Sequence, residues 1–535
     1  MKFSNCKCNN YQLGIILIFI AFIIYACFFI FKTSFVIEGT RYYCLFDDAM
    51  VSMRYAHNLA NGYGPVWNPG EKPIEGYSNP LWMSIMAIVH LLPIEKAKIS
   101  LIIQMVSVIT LLVNLVFVKK IAQKLSNNNP KVVLASLFFS AFYLPINTWA
   151  MIGMETGILM MLFSATTWLI VKNDERNNFN NLILIFPALG ILFRMDIIIL
   201  YFALFAFFVF YNNENRKKIF FSGTIILIIV LLIQFGFRFY FYDQWLPNTY
   251  YLKMTGYPIL LRLTRGIYST IKFIYFYNPL LFVLPILLVV VNRHRAYILI
   301  ALLMIIQLAY SSYVGGDTWE WHGGSNRFIS IIIPGYFILL SIALSKLIPI
   351  IYGWLSDYYP KAKKYYDYCY LILILICFLN INSLKGPISL SELFLVETPI
   401  GVIDNYHNVK FSLELKRILK NDAKATVTTA GVLPYFLECN FIDILGKNDK
   451  YISHKEAFVS RGFKRFIDFK PGHLKWDYSY SIKTMKPDAI LQQWENFDEI
   501  SDYLKLNYVK TRLKNLDFDI FLLKASDKIN WNNIR

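Results

Sequence analysis

Apolar runs of about 15–20 residues recur along the chain, separated by short polar or basic connections, and runs of this length predict helices that cross a bilayer. They fall at 12–32, 99–118, 131–151, 158–171, 180–194, 197–212, 219–237, 277–292, 296–313, 329–348 and 368–382. The first has no small-residue cleavage pattern, so it is expected to be a retained span and not a signal peptide. The connections sort by charge. Lys119-Lys120 with Lys124, Lys172 with Arg176, Arg216-Lys217-Lys218, Arg293 with Arg295, and Lys361 with Lys363-Lys364 alternate along the chain. The positive-inside rule puts these loops and the N-terminus in the cytoplasm. The apolar segment from Pro80 to Pro93 would invert every later loop if it crossed, so it is expected to lie at the outer face without spanning.

After residue 382 the pattern changes: no run is long enough to span, and charges become frequent. Strand-like stretches at Ala425–Thr429, Phe441–Leu445, Ala489–Gln492 and Asp517–Leu523 alternate with helical ones such as Phe411–Lys420. The expected fold class is therefore mainly α. A polytopic helical membrane module, 1–382, carries about eleven transmembrane helices and a first outer loop at 33–98. A small C-terminal α/β domain, 383–535, lies outside the membrane.

Composition agrees. Of 535 residues, 56% are hydrophobic and 16% charged, against about a quarter charged in soluble domains. The net charge of +18 resides largely in the short loops, which points to topology and an anionic membrane surface and away from nucleic acid. Among the seven cysteines, Cys6-x-Cys8 has no second pair and makes a poor metal site. Cys44 and Cys439 both fall on the outer side, where a disulfide between them is one option.

The outer loops hold the unusual chemistry. Phe46 to Trp82 packs two adjacent acids, Asp47 and Asp48, ahead of a turn-rich stretch ending Glu75-Gly76-Tyr77-Ser78-Asn79-Pro80. Spacing predicts a short amphipathic helix over 48–60, with Asp47 as N-cap and Gly62 as stop. Asp47, Arg54 and Asn58 then share one stripe, with Asp48, Ser52 and Tyr55 beside it. A carboxylate pair there reads either as a catalytic device or as a solvated loop with a helix cap. Further on, Glu155 could cap the next helix or serve a site. Arg194 and Asp196 lie between two apolar runs, where charges are costly unless paired or facing a cavity. Arg238, Asn248 and Lys253 sit among aromatics and could grip phosphate oxygens. Asp317 and Arg327 flank a Gly-rich loop whose lone His322 reads first as a surface residue. No P-loop, GxSxG, HExxH or dinucleotide fingerprint is present. Acids, arginines and aromatics gathered on one face suit a lipid-linked sugar: cations for the phosphate, rings for the sugar, a carboxylate as base.

The stretch Asp47-Asp48-Ala49…Arg54-Tyr55-Ala56-His57-Asn58-Leu59…Gly62-Tyr63-Gly64…Asn68-Pro69-Gly70-Glu71…Glu75-Gly76-Tyr77-Ser78-Asn79-Pro80-Leu81-Trp82 resembles the first outer loop of the GT-C arabinofuranosyltransferases. The resemblance continues through Gly153-Met154-Glu155-Thr156, Arg194-Met195-Asp196, Leu246-Pro247-Asn248-Thr249 and Gly315-Gly316-Asp317…Arg327-Phe328. In the C-terminal part it takes in Gly431…Pro434-Tyr435…Asp443…Leu445-Gly446…Asn448-Asp449, His454 and Pro471-Gly472-His473. Met50, Met53, Ser78 and the Glu71–Glu75 spacing depart from the family pattern and leave donor sugar and acceptor open.

The resemblance implies an inverting transferase in the bacterial cytoplasmic membrane. Its donor is a polyprenyl-phosphate-linked sugar such as arabinofuranose. Its acceptor is a hydroxyl of a glycan, lipid or protein, and it needs no metal and no cofactor. Asp47 and Asp48 are the catalytic candidates, with Asp47 the base. Arg194, Arg238, Lys253 and Arg327 are the candidates for donor phosphate. Arg54, Glu75, Tyr77, Glu155, Asp196, Asn248, Asp317 and His473 are those for sugar or acceptor. Transfer of another lipid-linked sugar is the alternative. A flippase is a weaker one, because transporters place polar groups at midplane within repeats.

Overall fold

In the computed structural model of the protein the described residues are 2–534, except 174–179, 213, 319, 321–325, 359–365, 384–386, 460–468 and 514–518. Arg176, His322 and the basic run 361–364 therefore lie outside the described residues, and so do the side chains of Cys6 and Cys8.

Helix ends follow from local chemistry. Asn129 accepts a hydrogen bond from the Lys131 amide ahead of Pro130, and the helix Pro130–Phe142 starts there, because a first-turn proline loses no needed donor. Asn278, at φ 86°, accepts from Leu280 and Leu281 before Pro279. That break turns Ile259–Tyr277 by 94° against Pro279–Asn292. A gentler break of 47° separates Pro130–Phe142 from Leu144–Met151, where Tyr143 is extended and Pro145 follows.

Each of the apolar runs is largely helical, with breaks inside three of them at Tyr143, at Asn278 and at 331–332. Lengths differ from expectation, however. Five helices are long and apolar enough to cross a membrane: Asn10–Thr33, Lys96–Leu125, Arg216–Tyr242, Arg295–Val314 and Ile333–Gly353. Counting each bent pair as one span gives seven. Leu182–Phe193 and Tyr366–Asn382 are shorter; twelve helical residues rise only about 18 Å against a core of about 30 Å. Among the described residues helix length and composition thus support five to seven spans. Pro80–His90 is also short. The multi-pass membrane character stands.

The chain divides into two compact units. The first comprises Met1–Lys32, Gln104–Leu231 and Leu263–Ile400, and is built of the apolar helices. The second comprises Thr33–Ile103, Leu232–Arg262 and Gly401–Arg535, so the units do not divide the chain at a single point near 382. It contains the helices Asp47–Ala60, Pro80–His90 and Asn405–Ile418 and a five-stranded sheet. Asn440–Asp443, Lys424–Val427 and Ala489–Ile490 run parallel in that order; Asp519–Leu523 and Tyr508–Arg512 complete the sheet antiparallel. Ala425, Val427, Ile520 and Leu522 are fully buried, as inward positions of a covered sheet should be. Cys44 and Cys439 are buried free thiols, so the disulfide option is not taken.

Candidate functional site

Two adjacent parallel strands deliver the loops around the acid pair. Lys424–Val427 ends in 428–431 ahead of the helix Val432–Leu437, and Asn440–Asp443 ends in the turn 444–449. The carboxyl ends of parallel strands are where open α/β sheets commonly build sites. Asp47 opens its own helix, Asp47–Ala60, and Phe46 takes the cap position without a side-chain bond. The expected N-cap role is thus corrected. Its Oδ1 instead accepts the amides of Gly431 (3.1 Å) and Val432 (2.9 Å), two donors at the start of the later helix, where amides lack an intrahelical partner. Burial pushes the Asp47 carboxyl up to about 6. The Val432 amide and Lys447 oppose that shift, and Asp48 adds to it. The next acid has a different environment: Asp48 Oδ1 accepts from Lys447 Nζ at 2.7 Å.

His473 lies on the Asp48 side. Burial, reinforced by the positive charge of Lys253, lowers its imidazole to about 4, so it is neutral near pH 7. Lys253 packs its aliphatic stem against Gly472. Asp47, Asp48, Lys253 and His473 therefore belong to one neighbourhood of the second unit.

Other residues expected to bind sugar or phosphate are occupied in building this loop. Arg54 is buried and donates to the carbonyls of Trp67 (2.6 Å), Cys439 (2.8 Å) and Pro434 and to Asn68 Oδ1 (3.0 Å). Glu75 and Arg238 form a buried ion pair, with Arg238 Nη2 3.1 Å from Glu75 Oε1. Tyr242 gives its hydrogen to the Pro65 carbonyl (2.7 Å), so Tyr77 donates to the Tyr242 hydroxyl (2.8 Å). Asn248 donates to the carbonyls of Gly446 and Lys447, each at 2.9 Å, and accepts from Ser453. Each satisfies buried polar groups, which is scaffolding work.

The remaining candidates lie in the first unit. Arg194 donates from Nη1 to Glu155 Oε1 (2.8 Å) and from Nε and Nη2 to the two oxygens of Asp196 (3.0 and 2.8 Å). Tyr310 adds a bond to Asp196. Arg327 pairs with Asp317 at 3.2 Å and faces Trp149. The sequence left Glu155 open between cap and site; its carboxylate pairs with Arg194. Arg265 pairs with Glu320 at 3.0 Å, a pair that sequence reading missed. Its signal was the polar stripe Arg262, Arg265, Ser269, Lys272 at three- and four-residue spacing on Ile259–Tyr277. Among the described residues no three His, Cys, Asp or Glu side chains gather to hold a metal.

A family model described as dolichyl-phosphate-mannose-protein mannosyltransferase matches residues 80–235. Among solved structures, ArnT from Cupriavidus metallidurans in the apo state is 11% identical with TM-score 0.53, over 95% of this chain and 98% of that one. The same protein bound to undecaprenyl phosphate is 10% identical with TM-score 0.56 over the same shares. The apo oligosaccharyltransferase of Archaeoglobus fulgidus is 10% identical with TM-score 0.50, over 89% of this chain and 69% of that one. No curated protein matches in sequence. The chain shares the fold of ArnT, and its apolar helices make it a multi-pass membrane protein.

Proposed function

We propose that the chain is an inverting glycosyltransferase. It moves a sugar, a pentofuranose such as arabinofuranose, from a polyprenyl-phosphate donor to a hydroxyl of a cell-envelope glycan or glycoconjugate. The reaction takes place at the outer face of the bacterial cytoplasmic membrane. The observation that carries this reading is Asp47: one carboxylate oxygen is fixed by two backbone amides, and burial raises its proton affinity to about 6. A base matched to near-neutral pH is what deprotonation of an alcohol needs. The acceptor hydroxyl gives its proton to Asp47 as its oxygen attacks the anomeric carbon. The bond to the lipid phosphate breaks on the opposite face, which inverts that centre.

Lys253 is the cation proposed for the departing phosphate in the second unit, and Arg194 and Arg327 are proposed separately for that role in the first. Glu155, Asp196 and Asp317 orient the arginines they bind. His473, neutral, is offered to a sugar hydroxyl. Arg54, Glu75, Tyr77, Arg238 and Asn248 hold the loop that carries the acid pair. The 383–535 segment is the proposed acceptor-binding part, and the loops with the acids face outward.

The matched family model is described by a dolichyl-phosphate-mannose donor, and an ArnT structure holds undecaprenyl phosphate. Both support an isoprenoid phosphate as the lipid. The former also favours a second reading, transfer of a hexose. Purified protein given polyprenyl-phosphate-linked arabinofuranose and mannose in parallel should release polyprenyl phosphate from the pentofuranosyl donor in the presence of an acceptor glycan. Release from the mannosyl donor alone selects the hexose reading, and release from neither removes both.

A further inference from the structure

On the helix Ile259–Tyr277, Arg265, Ser269 and Lys272 share one stripe at three- and four-residue spacing. Ile267, Tyr268, Ile271 and Tyr275 on the other side are exposed. The apolar face therefore points outward and the charged stripe inward, the reverse of a surface helix on a soluble protein. A cation turned into a membrane protein needs a partner or a cavity. Arg265 finds Glu320: its Nη1 lies 3.0 Å from Oε2, and both side chains are only 13% exposed.

The pair does more than neutralise two charges. Arg265 Nη1 also donates to the Gly315 carbonyl at 3.1 Å. Ser269 accepts from Arg265 and donates to Glu320 Oε2. The other oxygen, Oε1, accepts the Asp317 amide at 2.7 Å and Asn326 Nδ2 at 3.3 Å. One carboxylate thus ties Asp317 to Asn326, and those two residues set Arg327. Asp317 Oδ2 accepts the Arg327 amide at 3.2 Å and pairs with Arg327 Nε at 3.2 Å. Asn326 Oδ1 accepts the Phe328 amide at 2.9 Å and so starts the helix Arg327–Ser330. Gly316, at φ 80°, passes directly over the pair. A Cβ there would collide with Arg265 Nη1, Glu320 Oε1 and Ser269 Oγ.

We infer that Glu320 is a positioning residue for Arg327, with Arg265 as its anchor. By holding both Asp317 and Asn326 it orders Arg327 before a lipid phosphate arrives, so little of the binding energy is lost to ordering that side chain. This inference rests on the proposed contact between Arg327 and the donor phosphate.

Binding of a polyprenyl phosphate to the full-length protein in detergent tests this without any sugar. Arg327→Met should weaken binding about 10- to 100-fold, as loss of a hydrogen bond from a charged group does. Glu320→Ala should weaken it about tenfold. The double variant should bind no more weakly than Arg327→Met alone, because a residue that acts through Arg327 has nothing left to position. A general loosening of the fold would instead add its own loss. A Glu320→Ala protein that binds as wild type does, or whose loss recurs undiminished beside Arg327→Met, overturns the inference. Should Glu320→Ala not fold, Glu320→Gln runs the same cycle and is read in the same way, since it keeps the shape and loses the ion pair with Arg265. Unchanged affinity in Arg327→Met refutes instead the phosphate contact on which the inference rests.

Discussion

Asp47 is held in a way that costs the fold something above its own titration. Its carboxyl is raised from 3.8 to about 6, so the folded protein binds a proton that the unfolded chain releases over that range. The stability contributed by this site is full below about pH 4 and is lost as pH rises through 6. Asp47→Asn should therefore be more stable than wild type at pH 8, by about 1–2 kcal/mol after allowance for partial exposure, and no more stable at pH 4. Thermal melts in detergent at the two pH values check this. The sequence singled out the acid pair as either a catalytic device or a solvated loop. It could not assign surroundings, since the Gly431 amide and the Lys447 ammonium stand 384 and 399 residues away in the chain. Arg238 shows the converse. As a cation among aromatics it read as a phosphate ligand, and its partner Glu75 is 163 residues distant.

At the scale of elements, the helix after the acid pair was legible because apolar positions repeat at helical spacing; only its start was misread, by one residue. The approach of the 428–431 loop was not legible. Gly431 sits where a Cβ would fall 1.9 Å from the Asp47 carbonyl oxygen and 2.8 Å from its carbonyl carbon. Its φ of −106° is open to any residue, so glycine is needed there for space and not for conformation. Gly431→Ala must push the loop away from Asp47 and loosen both amide bonds. Loss of a precisely held base costs about 10²-fold or more. Turnover should fall by that order while the protein still elutes as a folded species. A near-normal rate would mean that these amides do not position the base. The helix Ile259–Tyr277 escaped notice for a different reason: Arg262, Arg265 and Lys272 dilute its hydropathy, and polar stripes on a membrane-protein helix weaken the signal that finds spans.

For the whole molecule, hydrophobic length carried the class. Apolar runs and basic loops were enough to read a multi-pass helical protein, and the structure keeps helix at every run. Helix length and composition single out five to seven of them among the described residues, and apolar helices such as Leu182–Phe193 are shorter than a span of the hydrocarbon core. The second unit draws on three segments separated by long stretches of chain, a grouping that local periodicity cannot reveal. The proposed orientation has its own check. Single cysteines placed near Ser78 and Gly316 should react with an impermeant reagent from outside, and one near Lys217 should not. Labelling at Lys217 from outside would invert the arrangement of the loops.

The central claim is that Asp47 takes the acceptor proton, and turnover of wild type and Asp47→Asn between pH 5 and 8, with donor binding followed in parallel, tests it most directly. Wild type should lose activity as pH falls through about 6, because protonation removes the base. The Asn variant should turn over about 10²–10⁴-fold more slowly while binding the polyprenyl-phosphate sugar as well as wild type does. An Asn variant that transfers sugar at the wild-type rate would contradict the account.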